Sequence, residues 1–420
     1  MSTPATGLAE ETEATESLSL FHLMDPAVRA NPYPLYRRLR TEDPVHWDPY
    51  LHAWIVTRYQ DVVTVLSRFS ADRTPSPEYF EALGVPEVSP IAKVMVKQML
   101  FKDAPAHSRL RKLAGPAFMP ARVRLLHRHI EEIADRLLDD IEARGDGKTD
   151  LMAEFAEPLP AIVTAEMLGV PVEDHVKLKE WSVTFAEMLG NFQHNPDRLG
   201  GVLRAVEHLA EYFQDAIHER RRYPKDGLIQ SLMSAHADGD RLTDDEIVAN
   251  CIVTMVGGLE TTTNLIGNGA LALLRNADKL AELRADRALI PDAVEELLRY
   301  ESPSQLTARI APGDVLLGGK QIRERQAVIA VMAAGNHDPE RFSNPEQLIL
   351  NRPDCRHLAF GWAAHFCFGA PLARLEGQVA FDSLLRRFPH LRLADEPLVW
   401  RENLGLRGLE RLPLTLAPGP

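Results

Sequence analysis

Residues 359–371 read Ala-Phe-Gly-Trp-Ala-Ala-His-Phe-Cys-Phe-Gly-Ala-Pro: an apolar loop containing glycine that leads to a single cysteine, Cys367. A helix pattern follows, with Phe381, Leu384, Leu385 and Phe388 at helical spacing before Pro389. A cysteine just ahead of a helix start has its thiolate stabilised by unpaired N–H groups and the helix dipole. Such a thiolate is a soft ligand suited to iron or zinc. Gly369, two residues on, lets a flat ligand lie close to the backbone. The plainer alternative is that Cys367 is a small buried hydrophobe. Cys355, His357, His365 and Cys367 are four zinc-type side chains in one segment. Their Cys-x-His and His-x-Cys spacings do not match the usual zinc patterns, because one intervening residue strains the chelate.

A second segment breaks a local rule. Thr243-Asp244-Asp245-Glu246 is a capping box, and no proline interrupts the chain from Ile247 to Leu274. Apolar residues fall all round the first part of this span, which predicts a buried helix. Its middle nevertheless reads Gly257-Gly258-Leu259-Glu260-Thr261-Thr262-Thr263-Asn264. Each glycine costs a helix interior about 1 kcal/mol relative to alanine, and a buried carboxylate needs a partner. Either a functional site sits here, or the helix kinks and satisfies its polar groups locally.

The rest of the chain is read around these two segments. Helical patterns dominate; Ile130, Ile133, Ala134, Leu137, Leu138 and Ile141 form one apolar face that ends at Gly145. Strands are short. Val45-His46-Trp47 and Trp54-Ile55-Val56 predict a hairpin, Val315–Leu317 precedes a Gly318-Gly319 turn, and Val328–Val331 suits a buried strand. The expected fold class is mainly α with small β-sheets. Residues 1–20 are rich in Ser, Thr, Ala and Glu and predict a disordered tail, leaving 21–420 as one domain. A chain of 420 residues buries enough surface to need no disulfide scaffold. Three cysteines fit a reducing compartment, hence the cytoplasm. A net charge of −13 argues against nucleic acid as a partner. No run of about 18 apolar residues predicts a membrane span.

Taken together, these segments resemble the cytochrome P-450 family of haem-thiolate monooxygenases, soluble bacterial type. Phe360, Cys367 and Gly369 match the family's Phe-x-x-Gly-x-x-x-Cys-x-Gly pattern, with Ala363 where the pattern has glycine. Glu296 and Arg299 match its Glu-x-x-Arg pair, and Arg352 resembles the third member of that triad. Gly257–Thr262 matches the central helix motif, with Glu260 as the acid, where aspartate is commoner, and Thr261 as the alcohol. Asp103–Arg111 looks like the helix whose His and Arg grip the haem carboxylates. The matches run from about Asn31 to Leu414.

The resemblance implies haem b, with Cys367 as axial ligand and Phe360 packed against its loop. His107, Arg111, Arg309 and His365 are the implied propionate partners, and Arg suits carboxylates through its fork. Gly258 and Gly369 are the implied close approaches to the cofactor. Glu260 and Thr261 are the implied catalytic pair, which delivers protons to bound oxygen. The reaction is expected to use O2 and two electrons, with hydroxylation as the default and coupling, demethylation or epoxidation as alternatives. A non-catalytic haem or zinc protein is the alternative of another class, and Glu260-Thr261 in a buried helix speaks against it. No nicotinamide or flavin motif is present, so the implied donors are a ferredoxin and its reductase. Arg109, Lys112, Arg122, Arg124 and Arg374 would form a basic patch for such an acidic donor. Residues 94–100, 253–259, 304–306 and 404–406 are the implied pocket walls. Their aliphatic character, with Met95, Met99 and Met255, suits an apolar small molecule.

Overall fold

The computed structural model describes residues 18–190, 196–236 and 240–416. In chain order, the elements that frame the site are strands β1 (Val45–Asp48) and β2 (Ala53–Val56) and helices α1 (Ala106–Ala114) and α2 (His127–Ala143). Strand β3 (Lys148–Asp150) and helices α3 (Pro158–Leu168), α4 (His175–Gly190), α5 (Pro196–Arg222), α6 (Asp244–Arg275) and α7 (Ile290–Tyr300) follow. Strands β4 (Thr307–Ile310), β5 (Val315–Leu317), β6 (Lys320–Ile322) and β7 (Ala327–Ala330), helix α8 (Ala370–Arg387) and strands β8 (Arg392–Leu393) and β9 (Pro413–Thr415) complete the frame.

Helix α6 is the axis of the molecule. Thr243 Oγ1 accepts from Glu246 N, and the Glu246 carboxylate accepts from Thr243 N, so the capping box forms as the sequence requires. The helix then packs against α3, α4, α5, α7 and α8, which explains why it is apolar nearly all round. It stays helical from Asp244 to Arg275. At Gly257–Thr261 the Thr261 hydroxyl donates to the Gly257 carbonyl at 2.5 Å, so the hydroxyl backs onto the preceding turn without interrupting the helix.

The expected hairpin forms, in a register that sets Val45 opposite Val56 and Trp47 opposite Trp54. Strand β7 pairs with β2 in parallel and with β4 antiparallel, which gives a four-stranded sheet in the order β1-β2-β7-β4. The central position of β7 accounts for its apolar run. Strands β5 and β6 meet across the Gly318-Gly319 turn, and β3, β9 and β8 form a third sheet. Residues 1–17 of the expected tail lie outside the described residues. Its last residues belong to the fold. Ser19 and Leu20 are fully buried, and Ser19 caps a short 3-10 helix and donates to Asp48 at 2.8 Å, so the folded part begins before residue 21.

Candidate active site

A cavity of about 320 Å³ separates α6 from the Cys367 loop. On one wall stand Gly257, Gly258, Thr261 and Thr262 of α6; on the other stand Phe360, His365, Cys367 and Gly369. The Cys367 amide donates to the Phe360 carbonyl at 2.8 Å, which closes the loop on itself. Burial pushes the Cys367 thiol up, and the Gly369 and Ala370 amides at the start of α8, with Arg111 and Arg374, pull it back toward thiolate. The helix start thus supplies donors to the sulfur. A Cβ on Gly369 would stand 3.7 Å from Cys367 Sγ and fill space beside the sulfur. Gly258 has a packing reason as well, since a Cβ there would come within 3.1 Å of Thr164 Oγ1 on α3. Phe360 is buried, with the Arg374 guanidinium 4.7 Å above its ring.

The four expected propionate partners all line this cavity. The His107 and His365 rings lie 4.1 Å apart, tilted by 39°. Burial, the neighbouring His107 and Arg309 push His365 down to about 4, and burial also lowers His107, so both rings are neutral donors near pH 7. Arg309 is 3% exposed; its Nη1 reaches Thr307 Oγ1 and the Ala308 carbonyl, while its Nε has no partner. Arg111 lies near Cys367 and stacks on Phe368 at 5.8 Å. A buried guanidinium with an unpaired N–H beside an apolar slot calls for an anion at the slot's edge. A flat apolar disc with two carboxylates and an open axial position for sulfur fits this set of residues.

Beneath the loop, Glu296, Arg299 and Arg352 form a fully connected buried cluster. Arg299 holds Glu296 through two bonds of 2.7 and 2.8 Å, and Arg352 Nε adds a third at 2.9 Å. The remaining guanidinium protons go to backbone carbonyls, including those of Asn336 and Ser343. The cluster ties α7 to the chain leading into the Cys367 loop and does not line the cavity beside Cys367, so its role is architectural.

Glu260 and Thr261 point in different directions. Thr261 lines the cavity, whereas the Glu260 carboxylate lies behind the helix and meets Arg401 Nη1 at 3.1 and 3.2 Å. Arg401 also holds Glu157 at 2.5 Å, and Lys179 pairs with Glu157. Burial holds the Glu260 carboxyl above its ordinary range, and the Arg401 charge works against that. Glu376 of α8 is the carboxyl that does stand on the cavity wall, 1% exposed, with Oε2 unpartnered and burial pushing it up to about 8. An acid among Leu372, Leu375 and Val379 on an otherwise apolar face was a legible signal of this site.

Several expectations need correction. Arg109 is consumed by Glu246 and Asp240 at the start of α6, and Arg374 by a bidentate pair with Glu295 at 2.6 and 2.8 Å, so neither is free to receive a partner. Met255 is fully buried in the core and Met95 lines a neighbouring cavity; Met99 alone of the three reaches the main one. The zinc-type side chains disperse: Cys355 lies 3.7 Å from Glu296, His357 is 3.3 Å from Glu295, and His365 lies against His107. Among the described residues no group of three or more potential ligands converges on a metal position, and no helix is long and apolar enough to cross a membrane.

Comparison with known proteins bears on this geometry. The family model Cytochrome P450 matches residues 53–405. The polyketide biosynthesis cytochrome P450 PksS of Bacillus subtilis (strain 168) is 38% identical over 411 residues, covering 95% of this chain and 99% of that protein. The vitamin D(3) 25-hydroxylase of Pseudonocardia autotrophica is 38% identical over 418 residues, covering 98% and 99%. The crystal structure of P450BioI in complex with a hexadec-9Z-enoic acid-ligated acyl carrier protein superposes with a TM-score of 0.85 at 36% identity, covering 93% of this chain and 100% of that one.

Proposed function

Since the chain belongs to the cytochrome P450 family of haem-thiolate monooxygenases, we propose that Cys367 is its axial iron ligand and that Thr261 and Glu260 serve proton delivery during oxidation of an apolar organic molecule. The observation that carries this reading is the slot itself. Cys367 and Thr261 face each other across one apolar cavity, and Arg111 and the half-satisfied Arg309 stand at its edge.

Arg111 and Arg309 would hold the two propionates, with neutral His107 and His365 as additional donors. Phe360 would shield the sulfur, and the Gly369 and Ala370 amides would temper its electron donation. When bound, the haem supplies reductive activation of O2 and transfer of one oxygen atom to the substrate. The protein's own contribution is to deliver protons and exclude water. Thr261 can present its hydroxyl to the cavity by releasing the Gly257 carbonyl, a change of one side-chain rotamer. Glu260, with its proton affinity raised by burial, can recharge that hydroxyl if it swings away from Arg401, which Glu157 would continue to hold. The carboxylate is therefore a switch with a resting partner, not a fixed cavity group. Apolar walls, including Met99, Leu265 and Leu406, keep bulk water away from the reacting bond.

The reaction needs electrons from a redox partner. We assign that role to a ferredoxin and its reductase. The short helix Pro120–Arg124 packs against α8 and carries Arg122 and Arg124 exposed on the side of the cysteine loop, where an acidic donor would be steered. We place the protein in the cytoplasm, where its three unpaired cysteines would stay reduced. Hydroxylation is the default outcome. The test is the absorbance of the reduced protein under carbon monoxide. The wild type should show the thiolate-specific band, and Cys367→Ser should lose it while remaining folded. Survival of that band in the variant would refute the ligand assignment.

A further inference from the structure

A second cavity of about 360 Å³ adjoins the first. It is walled by Phe80, Ile91, Ala92, Met95, Phe101 and Met188, all apolar. The two cavities share three residues, and one of them, Arg73, is charged. Resting on the haem reading above, we infer that Arg73 is a substrate-recognition residue that binds the carboxylate of an otherwise apolar acid at the junction of the two cavities.

Haem brings two carboxylates, and Arg111 and Arg309 already provide two permanent cations for them, assisted by two neutral histidines. Arg73 is a third cation on the same cavity. Among the described residues no carboxylate forms an ion pair with it; its one hydrogen bond is a long 3.4 Å contact to the Ala71 carbonyl. Burial pushes its guanidinium down to about 9, and the nearby Arg309 adds repulsion. Arginine does not shed its proton to relieve such a position, so the charge stands uncompensated in an apolar setting until an anion arrives.

Geometry then specifies how the anion is met. The Arg73 Cζ lies 4.6 Å above the Phe101 ring, so one face of the guanidinium is stacked. Stacking orients the fork and leaves its N–H edge for bidentate contact with a planar carboxylate. The other two shared residues, Leu306 and Thr307, are uncharged, and the charged neighbour, Arg309, has the same sign as Arg73. A neutral polar ligand would leave the charge unpaired, whereas an acid with an aliphatic or alicyclic body satisfies both the cation and the walls.

The experiment compares dodecanoate, methyl dodecanoate and dodecanol on the haem-loaded enzyme. Binding is read by the iron absorbance shift and, independently, by calorimetry. The wild type should bind the acid about ten- to hundredfold more tightly than the ester or alcohol. Arg73→Gln should erase that preference with haem content unchanged, and Arg73→Lys should keep a reduced form of it. Equal affinity of the wild type for acid and ester would overturn the inference without recourse to any variant. Loss of haem from Arg73→Gln while Arg73→Lys retains it would overturn it too, by making Arg73 a cofactor residue. Should the glutamine variant fail to fold, the lysine variant and the wild-type acid-to-ester ratio still decide. Failure of the haem reading itself would show separately, as absence of the thiolate band under carbon monoxide.

Discussion

Ala363 sits where the family pattern has glycine, and its φ is +55°. That is the left-handed region, which costs an L-residue about 1–2 kcal/mol and costs glycine nothing comparable. Replacing alanine by glycine also frees the unfolded chain, a loss of about 0.4–1 kcal/mol. The Ala363 side chain is exposed, so little packing is removed with the methyl. Ala363→Gly should therefore stabilise the protein by about 0.5–1 kcal/mol. The loop has little freedom to escape the strain: Cys367 N is bonded to the Phe360 carbonyl, and Phe366 N to the Ala363 carbonyl at 3.1 Å. For a chain of this length, unfolding entropy per residue translates 1 kcal/mol into only about 1 °C. Paired urea titrations, with haem absorbance followed in each, are the better assay. Gly361 provides the mirror experiment. Its φ is +71° and an added Cβ would meet only the His365 carbonyl at 3.6 Å, an ordinary contact. Gly361→Ala should lose about what Ala363→Gly gains. A lower urea midpoint for Ala363→Gly at full haem occupancy would refute the reasoning, because the conformational term would then be too small to outweigh unfolded-state entropy.

Thr261→Ala should retain haem and ligand binding yet release more peroxide, with product per electron pair falling about tenfold; unchanged coupling would route protons through Thr262 or ordered water. Arg401→Gln should free Glu260 from its resting partner at the cost of a buried unpaired carboxylate, and is expected to destabilise by about 2–4 kcal/mol in urea. Glu295, paired with Arg374 and His357, is held down at about 2 against an ordinary 4.5. A depressed carboxylate stabilises the fold above its unfolded pKa and loses that contribution as pH falls toward the folded one. Glu295→Gln should accordingly cost about 2–3 kcal/mol at pH 7, the same at pH 5, and less than half as much at pH 3, as measured by urea midpoints at each pH.

Local signals carried much of the fold. The capping box at Thr243, the hairpin of Val45–Trp47 with Trp54–Val56 and the turn at Gly318-Gly319 depend on residues close in sequence, and all formed where expected. The resemblance singled out His107, Arg111, Arg309 and His365, four residues far apart along the chain, and they line the same cavity as Cys367. Charge pairing at long range was illegible. Arg109 and Arg374 look like surface cations along the chain, but their acidic partners, Asp240 and Glu295, lie 131 and 79 positions away. Arg73 gave no signal either, because the role inferred for it depends on two cavities closing around it and on the absence of an acidic partner among the described residues.

The direction of Glu260 is the instructive case. Consecutive positions on an α-helix are turned by about 100°, so a carboxylate at 260 and a hydroxyl at 261 leave the helix in different directions. That much follows from the sequence. The cation that receives the carboxylate does not: Arg401 lies 141 positions away, in a segment without regular structure, and the same guanidinium also ties down Glu157. A carboxylate held by a cation with a second anion in hand can be released without leaving that cation bare. The pairing that takes Glu260 out of the cavity in the resting protein is thus also what keeps the cost of its return low.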